Sequence, residues 1–151
     1  MRWTKPVTLC LTLLAATAIG GLAQVQAGEK GELKVVFTNL ANNAGKVRIA
    51  LINSKAAYED EEKFGFRLVE VGVKELKAEH TFSDVPPGVY AIKAFHDQNG
   101  DKKHNRGLFG QPLEPYGFSN NVRGIFGPPS YEKTTFRLPP GAAQISIKLA
   151  K

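Results

Sequence analysis

The chain has 151 residues, a single cysteine and a formal charge of +6 at pH 7. That cysteine, Cys10, lies near the N-terminus, so residues 28–151 have no disulfide, thiolate metal site or cysteine nucleophile. Residues 1–27 hold Arg2 and Lys5, which leaves 18 basic against 14 acidic residues beyond them, a charge of +4. An excess that small does not call for a nucleic-acid partner.

The first segment is expected to be a secretory signal peptide. Arg2 and Lys5 form a basic start, Val7 to Ala23 is an apolar run, and VQA ends at Ala27 with compact residues where a signal peptidase cuts. Gly20 and Gly21 interrupt the run, which does not make the roughly 20 strongly apolar residues of a membrane span. Cys10 follows Val-Thr-Leu and lacks the small neighbour of a lipoprotein site. Cleavage after Ala27 would send a 28–151 domain, without a stable membrane span, to the periplasm or beyond. At about 120 residues it is large enough to be held by its core alone.

From there, short alternating segments dominate. ELKVVFTNL puts Leu33, Val35 and Phe37 on one face, and KVRIALIN does the same with Val47, Ile49 and Leu51. Period two with β-branched and aromatic residues predicts strands, and ANNAG between them reads as a hairpin turn. SKAAYEDEEKFG is an acidic crossover that tolerates a turn or two of helix. FRLVEV, VKELKAEHTF, GVYAIKAFHD, TTFRL and AQISIKL supply five more strands. In VKELKAEHTF, Leu76, Ala78, His80 and Phe82 share one side. About seven strands predict an all-β antiparallel sandwich, immunoglobulin-like or transthyretin-like, in one domain and monomeric. Pro86, Pro87 and Gly88 precede Tyr90 as a corner, where a phenol can bond back to the corner's backbone.

Residues 97–131 hold no strand-like run. They are read as an ordered cap, because Phe109, Tyr116, Phe118, Phe126 and Tyr131 can anchor them to the sandwich. The cap opens with FHDQNGDKKHN. Asp97, Asn99, Asp101, the carbonyl of Lys103 and Asn105 fall at positions 1, 3, 5, 7 and 9, a spacing that can wrap calcium. Against this, Lys102 stands where a calcium loop has Gly, Leu108 stands where it has a bidentate Glu, and Lys102, Lys103 and Arg106 add positive charge. A weak calcium site and a series of Asx-turns are both open. Tyr116, Phe118, Asn120 and Asn121 could bind a sugar by stacking and amide bonding, or could anchor the loop. His96, Asp97 and His104 are the candidate set for a metal-dependent or hydrolytic enzyme. Ser119 and Ser130 lack a nucleophile elbow. Glu59 and Glu62 read as a solvated charge run.

Taken in order, FSDVPPGVYAIKAFHDQNGD, GQPLEPYGFSNN and FGPPSYEKTTF resemble the bacterial family known as domain of unknown function 2141, from about Gly31 to Leu149. The resemblance implies a small exported envelope protein with no established activity and no catalytic residues to transfer. The family's Asp-x-Asn-x-Asn-Gly is altered here, with Gly100 earlier and Lys102 in the glycine's place. The expected role is a non-catalytic binding or accessory module of the envelope. Its partner would be an envelope protein or a glycan. A purely structural subunit is the third class.

Overall fold

The computed structural model describes residues 30–60, 65–125 and 127–151. The predicted signal peptide, Glu62 and Phe126 therefore lie outside the described residues. Every strand and helix below lies between Gly31 and Lys148, so this segment carries its own core.

Eight strands form two sheets: β1 (Gly31–Thr38), β2 (Lys46–Ile52), β3 (Arg67–Gly72), β4 (Ala78–Val85), β5 (Gly88–Asp97), β6 (Tyr116–Phe118), β7 (Phe136–Leu138) and β8 (Ala142–Lys148). The smaller sheet has the order β4-β1-β8 and the larger β3-β2-β5-β6, with β7 pairing the start of β5. The protein is an all-β sandwich. All pairs between strands are antiparallel except β1 with β8, which run parallel from Glu32↔Ala142 to Thr38↔Lys148. No hairpin can join a parallel pair, and here the rest of the domain lies between the two strands.

Alternation assigns the faces. Leu33, Val35 and Phe37 of β1 meet Val47, Ile49 and Leu51 of β2 and Tyr90, Ile92 and Ala94 of β5 in one buried cluster, closed by Phe82, Leu138 and Ile147. Phe37 is fully buried, and truncating a ring of that kind to Ala costs about 3–5 kcal/mol.

Three sequence expectations are corrected. β1 and β2 belong to different sheets, so ANNAG carries the chain across the sandwich and does not close a hairpin. Leu76 is not in a strand. It is 47 % exposed and shares a tight turn with Glu75, both at positive φ, closed by reciprocal bonds between Lys74 and Lys77 of 2.8 and 2.9 Å. The strand starts at Ala78, with His80 edge-on to Phe82 at 4.6 Å. The cap contains an eighth strand, β6, which pairs Tyr116 with Phe95 and Phe118 with Lys93.

Two short helices sit over the larger sheet. α1 (Lys55–Glu59) starts at Ser54, whose Oγ accepts the Ala57 N–H, and α2 (Tyr131–Thr134) follows the cap. With β6 they bury a second cluster, Ile52, Tyr58, Ala91 and Phe118, against which Tyr116, Val122 and Tyr131 pack. The cap is thus seated on the outer face of β5.

Candidate functional site

Strand β5 ends by delivering Asp97, 3 % exposed, to the first turn of the cap. Its Oδ1 accepts the Gly100 N–H at 2.7 Å and its Oδ2 the Lys102 N–H at 2.9 Å. The pattern repeats two residues on and again after that. Asn99 Oδ1 accepts from Asp101 N at 3.1 Å, and Asp101 Oδ1 accepts from Lys103 N at 2.8 Å. Asp101 Oδ2 takes the side-chain amides of Asn99 at 3.0 Å and Asn105 at 2.9 Å. These bonds, the Asn105 amide first and the Lys103 N–H next, hold the Asp101 carboxyl below its ordinary pKa.

Glu114 was not singled out from the sequence. It is 4 % exposed and ties the two ends of the loop together, accepting Gln98 N at 3.0 Å and Asn105 N at 3.2 Å. Buried Arg48 donates to the carbonyl of Lys102, with its Nε 3.4 Å from Glu70 and its guanidinium over Phe95. Lys102 itself has φ 65°, the left-handed conformation that a glycine would supply at that place. Of the five groups expected to face calcium, Asp97, Asn99 and Asp101 accept the loop's own N–H groups, and a fixed guanidinium sits at the turn. Among the described residues no three His, Cys, Asp or Glu side chains gather around a common point for a metal. The loop is closed by its own hydrogen bonds in the arrangement described.

The expected His96, Asp97 and His104 constellation does not assemble. His96 is fully buried, in the inward row with Ile92 and Ala94, and its Nε2 donates to the Ala44 carbonyl at 2.7 Å. Its Nδ1 is buried without a hydrogen-bond partner. His104 lies on the other side of the sheet, 5.3 Å from the Phe95 ring and 5.4 Å from the Tyr116 ring. Neighbouring residues of a strand point to opposite faces, so Phe95 and His96 put the two imidazoles on opposite sides of β5. Burial holds the pKa of His104 down, opposed by the Glu114 carbonyl and reinforced by Arg106.

The amides expected to meet a sugar are also spent. Asn120 Nδ2 donates to the carbonyls of Lys133 at 3.0 Å and Thr135 at 2.8 Å. Asn121 donates to Ser146 O at 3.1 Å and accepts Lys148 N at 2.7 Å, which stitches the cap to β8. Both have positive φ, which Asn tolerates better than most residues. Phe118 is buried and half-buried Tyr116 packs against it at 5.8 Å. These four residues anchor the cap. Nearby, Ser119 is fully buried, accepting Ile92 N and donating to Thr134 O. At the corner the Tyr90 hydroxyl donates to Pro86 O at 2.7 Å, and the ring lies against Gly88.

A cleft of about 280 Å³ opens between Tyr58, Lys93 and Tyr131 on the same face. Two of its polar groups turn to the protein. The Tyr58 hydroxyl donates to Pro129 O at 2.8 Å, and the Lys93 ammonium donates to Tyr58 O and sits 4.0 Å over the Tyr58 ring.

Three large apolar side chains of the cap also face solvent. Leu108 is 98 %, Phe109 93 % and Ile125 90 % exposed. Phe109, expected to anchor the loop, does not. Leu108 and Phe109 occupy Gly-Leu-Phe-Gly at 107–110, and Ile125 stands in Gly-Ile-Phe-Gly at 124–127. The first turn closes through Gly110 N to Gly107 O at 2.9 Å and Phe109 N to Gln111 Oε1 at 3.1 Å. In the second, Gly124 lies so close to the Gly127 carbonyl that a Cβ would stand 1.9 Å from it. In the sequence the signal is a near-repeat, Gly-Leu-Phe-Gly and Gly-Ile-Phe-Gly.

Residues 35–146 match the family described as an uncharacterized protein conserved in bacteria, DUF2141. No curated protein and no solved structure matches the chain.

Proposed function

The chain belongs to the DUF2141 family of bacterial proteins, and from that premise we propose that it is an exported, non-catalytic binding module of the cell envelope that recognises its partner through the cap. One observation carries this reading. The cap's Asp97, Asn120 and Asn121 side chains are consumed in holding backbone, while three large apolar side chains stand in solvent at its tips. A chain that spends its carboxylates and amides on structure has little left for acid–base work, and exposed apolar groups on a rigid scaffold serve contact. Export rests on the N-terminal pattern of residues 1–27. Among the described residues no helix is long and apolar enough to cross a membrane.

The test has two arms in a bacterium making the full chain. Intact mass of the product is expected to begin at Gly28, with release on osmotic shock or recovery in the envelope fraction. A photo-crosslinking residue at position 109 is expected to give adducts with envelope components that the same residue at position 34, on the smaller sheet, does not. A full-length cytoplasmic product, or equal labelling from both positions, overturns the reading.

A further inference from the structure

Two glycine-bounded segments of the cap carry exposed apolar side chains. Each is bounded by glycines, each lifts a Leu or Ile into solvent, and each is preceded by an arginine: Arg106 two residues before Leu108, Arg123 two residues before Ile125. Their bases meet at one ring. The Arg123 guanidinium lies 5.2 Å from the centre of Tyr116, and the His104 imidazole, two residues before Arg106, lies 5.4 Å from it. The segments leading into both tips thus share Tyr116 as a neighbour.

Charge around them is one-sided. Lys102, Lys103, Arg106 and Arg123 are all exposed. Of the three acidic residues in the cap, Asp97 and Glu114 are buried under backbone amides, which leaves Asp101 as the exposed carboxylate.

We infer that the cap is a docking surface for an anionic phospholipid bilayer, with Leu108, Phe109 and Ile125 entering the interface and the cations beside them pairing with lipid phosphates. This names the partner of the module proposed above and rests on that reading, since only an exported chain meets an envelope leaflet from outside the cytoplasm.

The shape favours lipid over protein. A stable protein interface needs a contiguous patch of about 800 Å² on each side, with an apolar centre. Here the apolar groups stand on two separate projecting tips with cations at their bases. That order matches a bilayer surface, where apolar side chains sink about 5–10 Å and basic ones stop at the headgroups. Each cation near an anionic leaflet adds to the attraction, which salt weakens. Glycine bounds allow the tight turns, and the bonds across the first tip fix it before contact, so little order is lost on docking.

The sequence supplies a convenient probe. Its one tryptophan is Trp3, so Phe109→Trp in the 28–151 chain is the sole indole, at a tip. The expected result is a blue-shifted emission, quenched by brominated lipid, on adding phosphatidylglycerol-containing vesicles. Pure phosphatidylcholine vesicles should give a much weaker shift. Co-sedimentation of the unmodified 28–151 chain should fall with added salt. Arg106→Ala with Arg123→Ala should weaken it by about tenfold or more. Leu108→Ser, Phe109→Ser and Ile125→Ser together should abolish it while leaving the melting transition in place, because those side chains are at least 90 % exposed.

No shift at any phosphatidylglycerol fraction overturns the inference, as does vesicle binding that the triple variant retains. A shift that appears without vesicles as protein concentration rises would assign the tips to a second copy of the chain and overturn it too. Crosslinks from position 109 to a protein alone would reject lipid yet leave the binding-module reading standing. A chain retained whole in the cytoplasm would remove that reading itself.

Discussion

The carboxylate of Asp97 and the main-chain N–H of Lys102 are joined at 2.9 Å, and this bond turns the chain from the last residue of β5 into the cap. The same carboxylate also holds Gly100 N, so one side chain closes two backbone groups. Asp97→Ala removes both acceptors at once. A hydrogen bond to a charged group is worth about 1.5–3 kcal/mol, and the exposed amides of Gly100 and Lys102 recover part of the loss from water. Urea unfolding should show the variant destabilised by about 1–3 kcal/mol. An unchanged midpoint would mean that the turn holds without it.

Ser119 and Ser130 separate a buried structural hydroxyl from an exposed one. Ser119 satisfies a donor on β5 and an acceptor at the end of α2, all buried. Ser119→Ala leaves both orphaned and should cost about 2 kcal/mol or more. Ser130 is exposed and makes no capping bond at α2, so Ser130→Ala should stay within about 0.5 kcal/mol. Equal effects in denaturation would contradict this assignment.

Stability should fall on acidification below neutrality. Burial lowers the pKa of both His104 and His80 from the ordinary 6.5. The unfolded chain then binds protons more readily than the folded one, so the full stability is present above about pH 6.5 and is lost as pH falls from there toward the folded values. Urea midpoints should drop between about pH 7.5 and pH 5, and His104→Phe, which keeps the ring contacts, should flatten the slope. What remains of the slope from these two belongs to His80. A slope untouched by His104→Phe would contradict the buried imidazole.

The strands were legible because alternation at period two is a local property. It found β1, β2, β3, β5, β7 and β8 and the buried faces of β1 and β2. It could not say which strand pairs with which, so the ANNAG crossing and the parallel β1–β8 pair were invisible. β6 was missed because three residues, one of them Gly117, are too few to show a period. The polar loop was visible as a constellation, but its meaning was not. Asp and Asn at alternate positions look the same whether their oxygens face an ion or their own amides, and the partners that brace the loop, Glu114 and Arg48, are distant in sequence. Phe109 was read as an anchor because hydrophobic residues in loops commonly fold back, and exposure cannot be read from residue type.

The claim on which the account turns is that the cap is preformed, held by its own polar groups, and needs no ion to present its tips. Residue-resolved hydrogen exchange of the 28–151 chain in EDTA tests this most directly, through the amides of Gln98, Gly100, Lys102, Lys103 and Asn105. Each donates to a side-chain oxygen of Asp97, Asp101 or Glu114. The account predicts that all five are protected in EDTA and that millimolar calcium changes neither their rates nor the melting midpoint. Fast exchange in EDTA that slows on adding calcium would contradict it and make FHDQNGDKKHN a metal-ordered loop.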